Sequence, residues 1–292
     1  MSDRRVIETM NFRVSCQLEY NLKSPATFFF AVKGIASGGQ QIFCESLVSE
    51  PYVSAEEFSI TGGMSRITRV MTLDPGILRL SYKADVRTSI LSVAVASVSH
   101  EASANLNPDV VPFLFPSRYC QSDRLRHHAL DLFGHLSHPY EIVAAISDWI
   151  FLNIAYVSGS SGETCSAIDT FEIRRGVCRD FAHLSIAFCR ALNVPARYVS
   201  CYACQMEPPD FHACFEVFVD GFWYVFDPTR LASLNGIIRI ATGRDAADTA
   251  VCTIFGDPEL ILSAVWCISM DASFNPITRD DLAQRNEAIV LL

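Results

Sequence analysis

The chain holds 292 residues, of which half are hydrophobic and 19% are charged. That is too apolar for a disordered chain, ample for a large core, and at about 150 residues per domain it suggests roughly two domains. A formal charge of -9, from 23 basic against 32 acidic side chains, argues against a general affinity for nucleic acid or anionic lipid. No run of about 20 uncharged apolar residues exists, so no membrane span is expected. Residues Met1 to Asn11 carry Asp3, Arg4, Arg5 and Glu8 and lack an apolar block, so they do not read as a signal peptide. The 11 cysteines are an odd number with no small-scaffold spacing. Free thiols in a reducing cytoplasm are the simpler expectation, most of them buried and inert.

The first hundred residues read as strands. Met10, Phe12, Val14, Cys16, Leu18 and Tyr20 alternate with polar neighbours, the period of a half-buried strand. Further strands are expected at Ala26–Lys33, Gln40–Val48, Glu57–Thr61, Ser65–Thr72, Gly76–Ala84 and Ser89–Ser99. Ser24-Pro25, Gly38-Gly39, Gly62-Gly63 and Asp74-Pro75-Gly76 punctuate them as turns. This pattern predicts a β-sandwich over residues 1–104. Residues 105–122 break the period with Pro108, Pro112 and Pro116, and read as a linker pinned down by Phe113, Leu114 and Phe115.

After the linker the period becomes helical, and an α+β domain is expected over 123–275, with 276–292 as a C-terminal tail. Asp123 can cap a helix to about Leu136, and Pro139 suits the first turn of a second, to about Tyr156. A short helix is expected at Ala167–Arg175, ended by Gly176, and a longer one at Cys178–Leu192. Strands follow at Ala196–Cys204, Ala213–Val219 and Phe222–Phe226, with Asp220-Gly221 as a strong hairpin signal between the last two. Later strands are expected near Ile237–Ala241, Val251–Phe255 and Leu260–Met270.

One cysteine has a physical reason to react. Cys178 follows Gly176-Val177 and opens a helix, where unpaired N–H groups and the helix dipole favour an anion. A thiolate is the nucleophilic form of the side chain, and the same helix end can stabilise an oxyanion. The nucleophile needs a base. His183 lies five residues on, about 500° round the helix, so it points away from Cys178 and reads as a packed residue. His212, which opens a strand after the turn-rich stretch Met206 to Asp210, is the better base. Asp227 is the orienting carboxylate: in a hairpin turning at Asp220-Gly221, His212 and Asp227 reach the same rim.

Four motifs together resemble the transglutaminase-like superfamily. They are Gly176-Val177-Cys178-Arg179-Asp180-Phe181-Ala182-His183-Leu184, Asn193-Val194-Pro195-Ala196-Arg197-Tyr198-Val199, Asp210-Phe211-His212-Ala213 and Trp223-Tyr224-Val225-Phe226-Asp227-Pro228-Thr229. Segments 116–123 and 243–248 are similar to a bacterial branch described as cysteine proteases, which carries an N-terminal β-sandwich. The resemblance implies a papain-like α+β core with Cys178 as nucleophile, His212 as base and acid and Asp227 as orienter. The reaction would be acyl transfer through a thioester, hydrolysing a peptide or protein substrate, or transferring its acyl group to an amine. It implies no cofactor. Cys214 stands where the family pattern more often has Trp.

Other readings weigh less. Cys201-Tyr202-Ala203-Cys204 has the spacing of a zinc or redox pair, but residues three apart on a strand face opposite sides. Asp169 and Asp180 are rival acids, though Asp180 in a first helical turn is explained by the dipole alone. Asp245 and Asp248 either cap a turn near the cleft or bind substrate. A peptide-binding module without catalysis would keep the fold and use the sandwich face.

Overall fold

The computed structural model describes residues 6–60, 64–98 and 106–292. The Gly62-Gly63 turn, the ends of two expected strands at Thr61 and Ser99, and the 104/105 domain boundary lie outside the described residues. In chain order the elements are β1 (Val6–Leu22), β2 (Ala26–Phe30), β3 (Gln40–Glu50), β4 (Ala55–Ile60), β5 (Ser65–Thr72) and β6 (Gly76–Ala94). Then come α1 (Ser122–Phe133), α2 (Pro139–Asn153), β7 (Ala155–Tyr156), α3 (Ala167–Ile173), β8 (Arg175–Gly176) and α4 (Cys178–Ala191). The chain ends with β9 (Ala196–Ala203), β10 (His212–Val219), β11 (Phe222–Phe226), β12 (Ile237–Gly243), α5 (Ala246–Thr249), β13 (Cys252–Phe255), β14 (Glu259–Ser269), α6 (Arg279–Arg285) and β15 (Glu287–Leu291). No helix among the described residues is long and apolar enough to cross a membrane.

The alternation read from β1 is met: Met10, Phe12, Val14, Cys16, Leu18 and Tyr20 are all buried. The two strands expected at Gly76–Ala84 and Ser89–Ser99 are one strand of 19 residues. Its period runs unbroken from Leu78 to Ile90, because Tyr82, Ala84, Val86 and Thr88 all turn inward while Asp85 and Arg87 turn out. The outward Asp85 takes both Nε and Nη2 of Arg13, at 2.7 and 2.9 Å, so the charged middle stays in the ladder. Asp123 does not cap α1; that helix starts one residue earlier, at Ser122, and Asp123 lies in its first turn. The short helix α3 ends before Gly176 because Arg174 takes a left-handed conformation (φ 61°).

Among the described residues, thirteen strands form one sheet, with the path β13-β2-β5-β12-β9-β10-β11-β15-β6-β1-β14 and with β3 on β6 and β4 on β5. The sheet folds over on itself. Phe12 and Val14 of β1 and Leu80 and Tyr82 of β6 share a core with Phe28 and Phe30 of β2 and with Tyr202 and Ile238 of β9 and β12. Residues 276–292, expected only as a tail, carry α6 and β15, and β15 is hydrogen-bonded between β11 and β6.

A second core holds α1 to α4 against β9, β10, β11 and β15. Phe188 of α4 is its hub, with ring centroids 5.7 Å from Phe133 of α1, 5.8 Å from Trp149 of α2 and 5.7 Å from Phe171 of α3. Each edge-on pair adds about 0.5–1.5 kcal/mol beyond area burial. Three such contacts fix the direction in which α4 presents its N-terminus. The expected linker is held as well: Phe113 packs edge-on to Trp223 at 5.3 Å, and Arg190 donates to the Phe115 carbonyl at 3.1 Å.

Candidate active site

Cys178 opens α4 because the turn before it is bolted in place. The Asp180 carboxylate accepts from the Val177 N–H at 2.8 Å and from the Ser161 hydroxyl at 2.8 Å. Asp180 therefore ties down the helix start, which agrees with its structural reading. Gly176 is needed for the same reason: a Cβ there would lie 2.6 Å from the Asp180 Cβ. Gly176→Ala is expected to destabilise the protein by about 1–3 kcal/mol, as a buried overpacking change does. A urea melt with an unchanged midpoint would refute that assignment. Asp169 is likewise spoken for, accepting from the N–H and hydroxyl of Ser166 at 2.8 and 2.6 Å to cap α3.

The hairpin β10–β11 has the expected turn, with positive φ at both Asp220 (50°) and Gly221 (81°). Its register pairs Phe215 with Phe226. Continued by one residue, that register sets Asp227 opposite Cys214, on the same face as His212 and diagonal to it. His212 Nε2 lies 3.1 Å from Asp227 Oδ2. The contact is close but poorly aligned for a hydrogen bond. With Nε2 turned to Asp227, the ring nitrogen left for Cys178 is Nδ1.

Both side chains are buried. Burial disfavours the imidazolium, but the Asp227 carboxylate and the neighbouring Cys178 side chain outweigh it and raise the His212 pKa well above 6.5. Burial also opposes charge on Asp227, yet His212 and the groups that donate to it hold its pKa below 3.8. Those donors are the Thr229 N–H at 3.0 Å, the Thr229 hydroxyl at 2.7 Å and the Ala232 N–H at 2.9 Å. Thr229 was not singled out as a site residue from the sequence. The signal was there, since Asp two residues before a free N–H makes an Asx turn.

Cys178 and His212 line one cleft of about 580 Å3. Its walls include Tyr119, Tyr198, Phe211, Ala246 and the segment Thr249 to Ile254. His183 is fully buried beneath it, stacked on Tyr119 at 5.0 Å and accepting from the Ala246 N–H at 3.2 Å. Burial and nearby Arg179 and Arg190 drive its pKa well below 6.5, so it is a neutral packed imidazole. Asp245 caps α5 through Ala247 N–H at 2.9 Å and holds Tyr119 N–H at 2.9 Å. Asp248 accepts from Arg244 N–H, Nε and Nη2 at 2.9 to 3.0 Å. The segment 243–248 thus builds a wall of the cleft. Tyr156, also missed, stands beside Cys178; burial and Cys178 raise its hydroxyl pKa, while His212 and the Cys178 N–H oppose the rise.

Cys201 and Cys204 do not face one partner. Cys214 adjoins Cys201, whereas Cys267 adjoins Cys204. Among the described residues no group of three or more His, Cys, Asp or Glu side chains could hold a metal ion. Cys214, which replaces the more usual Trp after His212-Ala213, is fully buried in the first core.

Residues 126–228 match the transglutaminase-like superfamily core, and residues 10–107 match the bacterial transglutaminase N-terminal domain. A crystal structure of a candidate cysteine protease from Cytophaga hutchinsonii is 43% identical, with a TM-score of 0.95, over 99% of this chain and 100% of that one. The chain belongs to the transglutaminase-like superfamily. An uncharacterized protein of Mycobacterium leprae is 31% identical over 121 residues, 38% of this chain and 43% of that protein. An uncharacterized protein of Mycobacterium tuberculosis is 29% identical over 168 residues, 52% of this chain and 50% of that protein. The matches span about half the length of these curated relatives or less.

Proposed function

We propose that the protein is a cysteine-dependent acyl-transfer enzyme that hydrolyses a peptide or amide bond through a thioester. The observation that supports this most is the buried His212–Asp227 contact of 3.1 Å, set on the cleft into which Cys178 opens. In this reading His212 carries a proton and Cys178 is a thiolate. The sulfur attacks the substrate carbonyl and a carbon–sulfur bond forms. The oxyanion sits near the Cys178 N–H at the α4 terminus. The imidazolium gives its proton to the leaving amine as the amide bond breaks. His212 then takes a proton from water, whose oxygen attacks the thioester and expels the thiolate. Asp227 keeps the ring oriented and balances its charge throughout.

The test is a screen of the purified protein against a peptide library, with Cys178→Ala as control. Shorter products that disappear in the control are expected. Joined peptides in their place would assign transamidation, with an amine as acceptor. No product of either kind would favour a binding module.

A further inference from the structure

β13 sits at one end of the sheet path, paired on one side only, with β2. Its register is antiparallel, with Cys252 opposite Phe30 and Ile254 opposite Phe28. The Ala31 N–H donates to the Val251 carbonyl at 2.8 Å, so residue 251 turns its backbone groups toward β2. Backbone groups in an antiparallel ladder alternate in direction. Val251, Thr253 and Phe255 therefore bond inward, and the N–H and C=O of Cys252 and Ile254 point outward. Among the described residues no strand meets them.

That outer edge lies on the cleft. Val251, Cys252, Thr253 and Ile254 all line the cavity that holds Cys178 and His212. Successive strand residues send their side chains to opposite faces. A cavity in contact with all four residues therefore meets the edge of the strand, not one face. The side chains of Cys252 and Ile254 are also committed, since they pack on the first core, Cys252 beside Tyr20. What the edge offers a ligand is main-chain donors and acceptors, in the spacing of a β-strand.

We infer that the outer edge of β13 is a strand-pairing site for an extended peptide, which it lays along the cleft toward Cys178. This rests on the reading of Cys178 as a nucleophile toward peptides. Strand addition suits such a substrate, because main-chain hydrogen bonds hold any unfolded segment whatever its side chains, and neighbouring pockets select among them. The ligand class is an unstructured chain segment, free of proline where it meets Cys252 and Ile254.

Alanine peptides test this, because only their backbone is read. One series carries a vinyl sulfone at the C-terminus and a second a chloroacetyl group at the N-terminus, and alkylation of each cysteine is followed by mass spectrometry. In one series a four-residue probe should label Cys178 about tenfold faster than a one-residue probe. A single N-methyl group should slow the longer probe by about three- to tenfold at alternate amides and leave the intervening ones unaffected. Ile254→Pro should remove the gain from length, with the melting temperature confirming that the variant is folded; its missing N–H faces outward, where a strand edge accepts proline. Equal rates at both lengths in both series, or indifference to N-methylation, would overturn the pairing site. If Cys178 still outran the exposed Cys44, the cysteine chemistry would survive that result. A Cys178 no faster than Cys44 toward every probe would overturn both.

Discussion

His212→Ala is expected to reduce acyl transfer by about 10^4-fold and to erase the selective alkylation of Cys178 at pH 6. In the proposed mechanism His212 is the base that partners Cys178 across the cleft. Most other thiols have no such partner. Burial pushes Cys16 up to about 11 and Cys120 and Cys252 up to about 12, which leaves them protonated and slow. Exposed Cys44 is the internal reference in the same digest. Asp227→Asn tests the same pair by its pH dependence. An adjacent carboxylate raises a histidine pKa, so its loss should bring the alkaline limb of kcat/KM down by about one unit or more. The direction follows from the sign: in the proposed mechanism His212 acts while protonated, and a lower pKa ends that state at lower pH. An alkaline limb that stays in place would remove Asp227 from the mechanism.

Glu216→Gln is expected to cost about 3–5 kcal/mol of stability, although Glu216 is not a site residue. It is fully buried in β10, with Oε1 bound to Arg239 Nε and Nη2 at 2.9 and 2.5 Å and Oε2 to Arg197 Nε at 2.7 Å. Arg197 also lies over the Trp223 ring at 4.0 Å, and Arg239 donates to the Leu291 carbonyl at 2.7 Å. One carboxylate thus joins β9, β10, β12 and β15. Removing its charge leaves the buried Arg239 and the partly buried Arg197 without their shared counter-charge. The midpoint of thermal unfolding should fall by about 10 °C. Burial opposes charge on Glu216, but both arginines hold its pKa below 4.5. Its stabilisation is therefore present above pH 4.5 and is lost as pH falls through the folded value. A variant that melts with the native protein at pH 7 would show the cluster to be energetically neutral.

Much of the C-terminal half was legible because its signals are local. Gly176-Val177-Cys178 announces a helix start, and the true cause, the room Asp180 needs beside Gly176, also lies within five residues. Asp220-Gly221 sets the hairpin register, and register alone carries Asp227 to the face of His212. The N-terminal strands followed from their period of two. The one division that differs there, between Gly76–Ala84 and Ser89–Ser99, falls at Asp85 and Arg87, which occupy the outward half of that same period.

What local pattern determined, then, is which segments become helix or strand, which side chains turn inward, and which cysteine opens a helix. Those properties depend on backbone hydrogen bonds and side-chain spacing over a few residues. The tertiary structure decided which strands become neighbours: β14 on β1, β15 between β11 and β6, and β13 on β2. No short-range signal specifies these pairings, because any exposed edge can accept any strand of suitable length. The choice is made where distant apolar faces close a common core, as Phe12, Phe28 and Tyr202 do here. The cleft belongs to this second category. Cys178 and His212 are 34 residues apart in the chain, and they share a cavity because α4 packs against β10 and the strand beyond it.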